Sequence, residues 1–357
     1  MKQEHTTRLT KLHAWTGVAL VIPLFFIALT GACLLHKDAI FVPADWRTAP
    51  PARSLTAIDA EIARLMLLPD LRMAELVKPA RGMRAFHLVT NADGSLSYWR
   101  IGAVAAATSV PWRIRLENYV IEFHEHLLLG ETGDIAVRII SPLAAVLIIV
   151  GFVLWWPLRR GWRSRDLLPR SAARPQLVRS HRAIAAAGSL LLITHAVTGA
   201  LMANSPSIRA WLKPLTKPEA TAIPAAATLG FQTGDAADAI AALRRVFDRG
   251  DISQLSPIPG AAGLQWSLRL RLPGEDHPNG RSNVTLDLAN GQLIAIRDAR
   301  KAGIPGSYDD TVFPLHTGTL LGPAQRWVWT LGALTLAVAV LLGALSFFRK
   351  QLSVRRP

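Results

Sequence analysis

One cysteine, Cys33, in 357 residues excludes an intrachain disulfide and a cysteine-ligated iron–sulfur cluster. Without a C-x-x-C-H run there is no covalent c-type haem either. The chain also lacks a G-x-G-x-x-G after a strand, a G-x-x-x-x-G-K-[ST] loop and a nucleophile elbow, so it has no evident nucleotide site and must take any electrons from elsewhere. No H-E-x-x-H is present. The two histidines of HEH at 124–126 stand two apart, and positions i and i+2 on a helix diverge, which disfavours zinc. Acidic residues are scarce, 25 against 40 Lys and Arg, for a net charge of +15.

That excess is localised. Lys2, Arg8 and Lys11, the eight arginines from Arg159 to Arg182, and the four bases of the C-terminal FRKQLSVRRP make 15 bases against Glu4 and Asp166. The rest of the chain is nearly balanced, 25 bases against 23 acids. Such segregation follows the positive-inside rule and assigns these three pieces to the cytoplasm. It is a topology signal, compatible with anionic membrane lipid and not a sign of nucleic-acid binding.

Half of the residues are hydrophobic, too many for an ordinary soluble domain. Four apolar runs, Ala14 to Leu35, Ile135 to Trp156, Ala183 to Ala203 and Trp327 to Phe348, are each about 20 residues, enough to span a bilayer as a helix. The first has Pro23 and no A-x-A-like site after it, and reads as a retained anchor.

The third run carries the chemistry. His181 and His195 lie fourteen residues apart, which on a straight helix returns them to one face at a rise of about 21 Å. Gly188 and Gly199 fall on that face and would let a flat macrocycle approach. A lone histidine in an apolar helix is more often a hydrogen-bonded core residue, but ionisable residues inside a membrane are functional by default. Two at this spacing point to haem ligands at two depths.

The chain is an internal duplication. LTKLHAWTGVALVIPLFFIALTGA lies on LVRSHRAIAAAGSLLLITHAVTGA without a gap, matching His13 to His181 and Thr30-Gly31 to Thr198-Gly199. FHEHLLLG likewise matches LHTGTLLG, so His124 corresponds to His316. Ile27 stands where the second half has His195. The first and third helices run in one direction, so the halves relate by an axis along the membrane normal. Five histidines are therefore candidate haem-iron ligands: His13, His124, His181, His195 and His316. His13 and His181, at matching levels, close on an inner b-type haem. His195 holds an outer one with His124 or His316, about 20 Å away by the helix rise. Polar breaks at Glu131 to Asp134 and Pro323 to Arg326 are expected to separate the segments bearing His124 and His316 from the spanning helices. His36, His87 and His277 read as ordinary residues. Arg159, Arg160, Arg163 and Arg165 read as topology residues, with haem propionates as a lesser alternative.

Two outside segments repeat one order. The first has an amphipathic helix, TAIDAEIARLM, then a hairpin turning at Asn91–Gly94. The second has a helix, DAADAIAALRRVF, a strand, LQWSLRLRL, and a hairpin turning at Asn290-Gly291. Pro-rich joints, PADWRTAPPARS and KPLTKPEATAIP, lead into them. Trp46, Trp99, Trp112, Trp211 and Trp266 either pack these units or line a cleft.

The paired L-x-H…T-G helices, the L-H-x-x-x-L-L-G-like signatures at 123–130 and 315–322 and the duplicated outside units resemble the PepSY-associated transmembrane, iron-regulated proteins of bacteria, over nearly the whole chain. Among these it is similar to inner-membrane ferrisiderophore reductases of the FoxB type. The resemblance implies an α-helical membrane protein: four transmembrane helices in two tandem repeats, two b haems, and two small α+β (PepSY-like) periplasmic units. The implied division is 1–36, first helix with cytoplasmic N-terminus; 37–119, first periplasmic unit; 120–157, outer segment and second helix; 158–180, cytoplasmic loop; 181–204, third helix; 205–313, second periplasmic unit; 314–348, outer segment and fourth helix; 349–357, cytoplasmic tail. It further implies that electrons from a quinol or a cytoplasmic reductase cross the inner membrane and reduce a ferric siderophore, so that iron is released in the periplasm. The family pattern carries ligand roles onto the same five histidines; His126 departs from it. The alternatives from other classes are a non-enzymatic envelope-binding or regulatory membrane protein and an iron-complex transporter.

Overall fold

In a computed structural model of the chain, residues 2–48, 54–215, 230–258, 265–301 and 303–354 are described. The Pro-rich joints at 43–54 and 213–224 lie partly outside them, as do the last bases, Arg355 and Arg356. The chain divides into a helical unit (Met1–Ile40, Leu116–Ile208, Leu315–Pro357) and a sheet unit (Phe41–Arg115, Arg209–Pro314).

Two helices of the helical unit, Gly130–Trp155 and Pro323–Val354, are long and apolar enough to cross a membrane unbroken. The other two apolar runs are bent pairs. Lys2–Ala19 and Val21–Leu34 meet at 64°, and Arg174–Ala187 and Ser189–Ala203 at 72°. If each pair is one span, the total is four. Both bends sit at the same repeat position, Leu20 and Gly188, with near-identical backbone angles (φ −95°, ψ 2° and φ −91°, ψ 2°). In the first pair Pro23 lacks the N–H that would bond Ala19, and its ring crowds that carbonyl. In the second, Gly188 admits Thr335, whose Cγ2 would lie 2.6 Å from a β-carbon there. The bend corrects the straight-helix expectation. Neither the 100° step nor the 21 Å rise carries from His181 to His195, and the 20 Å spacing of two irons falls with it.

The two halves interlock. Pro323–Val354 packs on Val21–Leu34 of the other half and on Arg174–Ala187 of its own; Gly130–Trp155 does the same with Ser189–Ala203 and Lys2–Ala19. Chain breaks precede both long helices, but not where the polar residues suggested. Glu131 and Pro323 already lie in the first helical turns, where a carboxylate complements the helix dipole and a proline forfeits nothing. The first break is the turn at Leu127 and Leu128, both held at positive φ (54° and 59°).

The sheet unit holds seven strands: β1 (Ala74–Lys78), β2 (Phe86–Asn91), β3 (Leu96–Arg100), β4 (Asp251–Ile258), β5 (Gln265–Arg271), β6 (Ser282–Asp287) and β7 (Gln292–Arg297). Their order is β3-β2-β1-β4-β5-β6-β7, with every neighbouring pair antiparallel. Both expected hairpins form, as β2–β3 and β6–β7. The two expected α+β units are, however, one sheet, joined where β1 pairs with β4 at Val77 and Leu255. Separate units would each expose an edge strand, and this pairing removes both edges. The helices Leu55–Leu67 and Ala236–Val246, capped by Ser54 and Asp235, cover one apolar face around Leu65, Met66, Leu243, Leu255 and Trp266. Asp59 and Arg244 join the two helices through a bidentate pair at 2.6 and 2.8 Å.

Two buried charge sites in this unit titrate in different windows. Burial works against the Glu61 carboxylate, but hydrogen bonds from Arg64, His87 and the Gly102 amide outweigh it and hold the group far below its usual range. Its contribution is present above the ordinary carboxylate range and is lost only in strong acid. His277 is the reverse case. Burial, then the guanidinium groups of Arg281, Arg269, Arg271 and Arg81, press its imidazole from 6.5 down to about 2. The Asp310 carboxylate faces it by accepting from its backbone N–H at 2.8 Å, and Phe313 stacks on the ring at 4.6 Å. The folded state keeps it neutral while the unfolded chain takes a proton below 6.5. Stability is therefore full above that pH and falls below it, by up to about 1.4 kcal/mol per pH unit. Hydrogen exchange of β5 and β6 amides in the full chain, corrected for intrinsic rates, is expected to show an opening free energy about 2 kcal/mol lower at pH 5 than at pH 7. His277→Asn flattens that slope; an unchanged slope in the variant refutes the assignment.

Candidate metal centres: five histidines between the helices

Each of the five histidines is seated against a glycine of a neighbouring helix. A β-carbon on Gly151 would lie 2.8 Å from Cε1 of His13, on Gly343 3.2 Å from that of His181, on Gly31 3.0 Å from that of His124, on Gly199 3.3 Å from that of His316, and on Gly332 3.0 Å from that of His195. These glycines make room for imidazoles. The expected role of Gly188 and Gly199, clearing a helix face for a macrocycle, is therefore corrected: Thr335 and His316 take those places.

Hydrogen bonds set the tautomers. His181 Nδ1 lies 2.7 Å from the Ala339 carbonyl and His195 Nδ1 2.8 Å from that of Leu191. His124 Nδ1 lies 3.0 Å from the Ile27 carbonyl and 3.1 Å from Thr30 Oγ1, and His316 Nδ1 2.9 Å from Thr198 Oγ1. Carbonyls only accept. The two threonine hydroxyls donate back to Phe26 and Thr194 at 2.8 and 2.6 Å, so they accept from the imidazoles. All four rings thus donate from Nδ1 and keep the Nε2 lone pair for a metal, the usual outer-shell arrangement at a metal-ligating histidine. This explains the repeated Thr-Gly pair: the threonine orients the histidine opposite and the glycine admits its ring.

The rings assemble in two groups. His13 and His181 have centroids 6.2 Å apart. His124 and His316, the other repeat-related pair, are 6.3 Å apart, and His195 lies 6.1 Å from His316. A ring nitrogen lies about 1 Å from its centroid and a metal–nitrogen bond is about 2 Å, so two imidazoles trans across one metal have centroids about 6 Å apart. Both repeat-related pairs fit a bis-histidine iron. A bare ion needs more donors, and among the described residues no three His, Cys, Asp or Glu side chains group to hold one; haem asks the protein for only two.

The remaining histidines are engaged elsewhere. His126 pairs with Glu122 at 3.2 Å, which leaves His124 as the member of HEH facing His316. His36 bonds Thr330 at 2.8 Å and stacks on Trp327, and His87 bonds Glu61 at 2.8 Å. Arg159 stacks on Trp156 at 4.6 Å, and Arg160, Arg163 and Arg165 are exposed. A basic depression not expected from the sequence is lined by Arg174, Pro175, Val178, Arg179 and Arg182 of one helix. Gly151, Gly332 and Gly343 were also missed. Gly151 and Gly343 stand 192 positions apart, the same offset as His124 and His316. Of the five tryptophans, Trp46, Trp99 and Trp266 are buried core, while Trp112 and Trp211 are exposed.

The fold and these centres define a membrane protein of two repeated helical halves carrying a mixed helix-and-sheet unit. Residues 10–350 match the family model described as PepSY-associated TM region. The chain belongs to this PepSY-associated transmembrane family. A search of curated proteins gave no match.

Proposed function

We propose that the protein is a di-haem b reductase of the bacterial inner membrane that passes electrons from a quinol or a cytoplasmic reductase to a ferric siderophore in the periplasm. Both termini and the Arg159–Arg182 loop face the cytoplasm in this reading. The observation that carries it is the pair of repeat-related imidazole couples at 6.2 and 6.3 Å, each with Nε2 left for iron by the tautomers of its hydrogen-bonded members.

When bound, haem supplies one-electron exchange at iron. The chain's part is to hold and shield. His13 with His181 and His124 with His316 are the pairs that would hold the two haems, and the carbonyls of Ala339 and Ile27 and the hydroxyls of Thr30 and Thr198 hold the rings in the ligating tautomer. The apolar helices keep water from the iron. Arg182, next to His181 in the sequence, and Arg179 would offer cations to the propionates of a haem held there. One electron converts bound Fe(III) to Fe(II), which hard oxygen chelators hold more weakly, so the siderophore lets go. The exposed Trp112 and Trp211 are two aromatic surfaces of the sheet unit that would suit the siderophore's body.

The test uses purified full-length protein. Reduced with dithionite and freed of excess reductant, it is expected to re-oxidise on addition of a ferric hydroxamate, with bleaching of the haem α-band and a matching yield of Fe(II) trapped by a ferrous chelator. A reduced spectrum that persists, with no Fe(II) formed, contradicts the reading.

A further inference from the structure

The duplication breaks twice, and the two breaks meet. His195 replaces the Ile27 of the first half, and the glycine behind its ring, Gly332, replaces Ile140 at the offset of 192. The second half thus gained an imidazole together with the space to seat it. The Nε2 of His195 is buried without a hydrogen-bond partner. Its Nδ1–H donates to the Leu191 carbonyl at 2.8 Å, the Trp329 carbonyl also faces the ring, and Nε2 has no donor. Leaving such a group dry is unfavourable, and a metal is the partner that a lone pair in this setting fits.

Resting on the di-haem reading, we infer that at the second centre His316 is the fixed ligand and that His124 and His195 are alternative ligands for the opposite position, one at a time. His316 lies one iron-width from each: 6.3 Å from His124 and 6.1 Å from His195, against 6.2 Å for the pair His13 and His181. One iron at His316 takes one of them at a time. The exchange breaks one iron–Nε2 bond and forms another, with no change in oxidation state, charge or coordination number. His124 is anchored on Ile27 and Thr30 of the first bent pair, His195 on Leu191 of its own helix. The iron's ligand field therefore differs between the two states through ring orientation: the planes make 44° in the first pairing and 62° in the second. A larger angle between axial imidazole planes raises the largest g value of a low-spin ferric haem, so the states are spectroscopically distinct. On the other side of the same centre, beside His124, Ile27 and Ile140 stand where the second half has His195 and Gly332.

The experiment is low-temperature electron paramagnetic resonance with haem quantitation on detergent-purified full-length protein. The low-spin signal of the His13–His181 centre serves as the internal measure of folding. His124→Ala and His195→Ala are each expected to retain two low-spin haems per chain, with the second signal moved to higher g in His124→Ala. The double variant and His316→Ala lose the second low-spin signal and keep the first. Should His195→Ala fail to accumulate, Gly332→Leu crowds the same ring from outside and must show the same pattern alone and combined with His124→Ala. Loss of the second signal in either single variant overturns the inference, as does its survival in the double variant. A wild-type protein with no low-spin signal fails the di-haem reading itself, and the inference with it.

Discussion

Alanine at His181 is expected to remove one of the two proposed haems, and alanine at His13 the same one. The two rings are 6.2 Å apart, on helical segments at matching positions of the repeat, and neither has another histidine beside it to take over. Losing one imidazole would leave its partner to hold the group alone. The expected outcome is a drop from two haems per chain to about one, or a low-spin to high-spin conversion of that one haem, with the second spectral component unchanged. His36→Ala is the control. Its ring bonds Thr330 and stacks on Trp327, so both haems stay. Haem content and low-temperature α-band spectra of the three variants provide the measurement. If His13→Ala and His181→Ala affect different components, the repeat-related pairing is wrong.

The second large effect requires no change to any histidine. Leucine at Gly151 places a β-carbon 2.8 Å from Cε1 of His13, and leucine at Gly343 places one 3.2 Å from Cε1 of His181. The first contact forces a shift and the second is tight, before the rest of either side chain is added. Each substitution displaces its ring from the line to its partner. Disturbing the support of a ligand typically costs 10–100-fold in metal affinity, about 1.4–2.7 kcal/mol. Gly151→Leu is expected at the upper end. Gly161→Leu meets open space and should leave binding unchanged. Haem titration of the apoprotein variants reads the effect: a Gly151→Leu protein with wild-type affinity at the His13–His181 site contradicts the account of the glycines.

Much of this was legible in the sequence. The four apolar runs, the Thr-Gly and Leu-Gly signatures of the duplication, and both hairpins are local patterns, and local patterns survive folding. The bends did not show, because the apolar runs continue through Leu20 and Gly188 without a charged residue. Hydrophobic periodicity is blind to a break that leaves the composition unchanged. That blindness put His181 and His195 on one straight face. The repeat offsets, 168 for His13 and His181 and 192 for His124 and His316, already paired the rings without needing a helix to be straight. The single sheet was hidden for another reason. β1 carries a bulge and β4 contains Pro257, so neither has a clean alternation, and their pairing joins segments about 180 residues apart. The choice between His124 and His126 turned on Glu122, one helical turn away, which draws His126 aside.

Two imidazole pairs, made by duplication, are each proposed to hold one iron. A pyridine haemochrome assay on the purified wild-type chain, referred to protein by amino-acid analysis, is expected to give two b-type haems per chain; a ratio of one or none contradicts this.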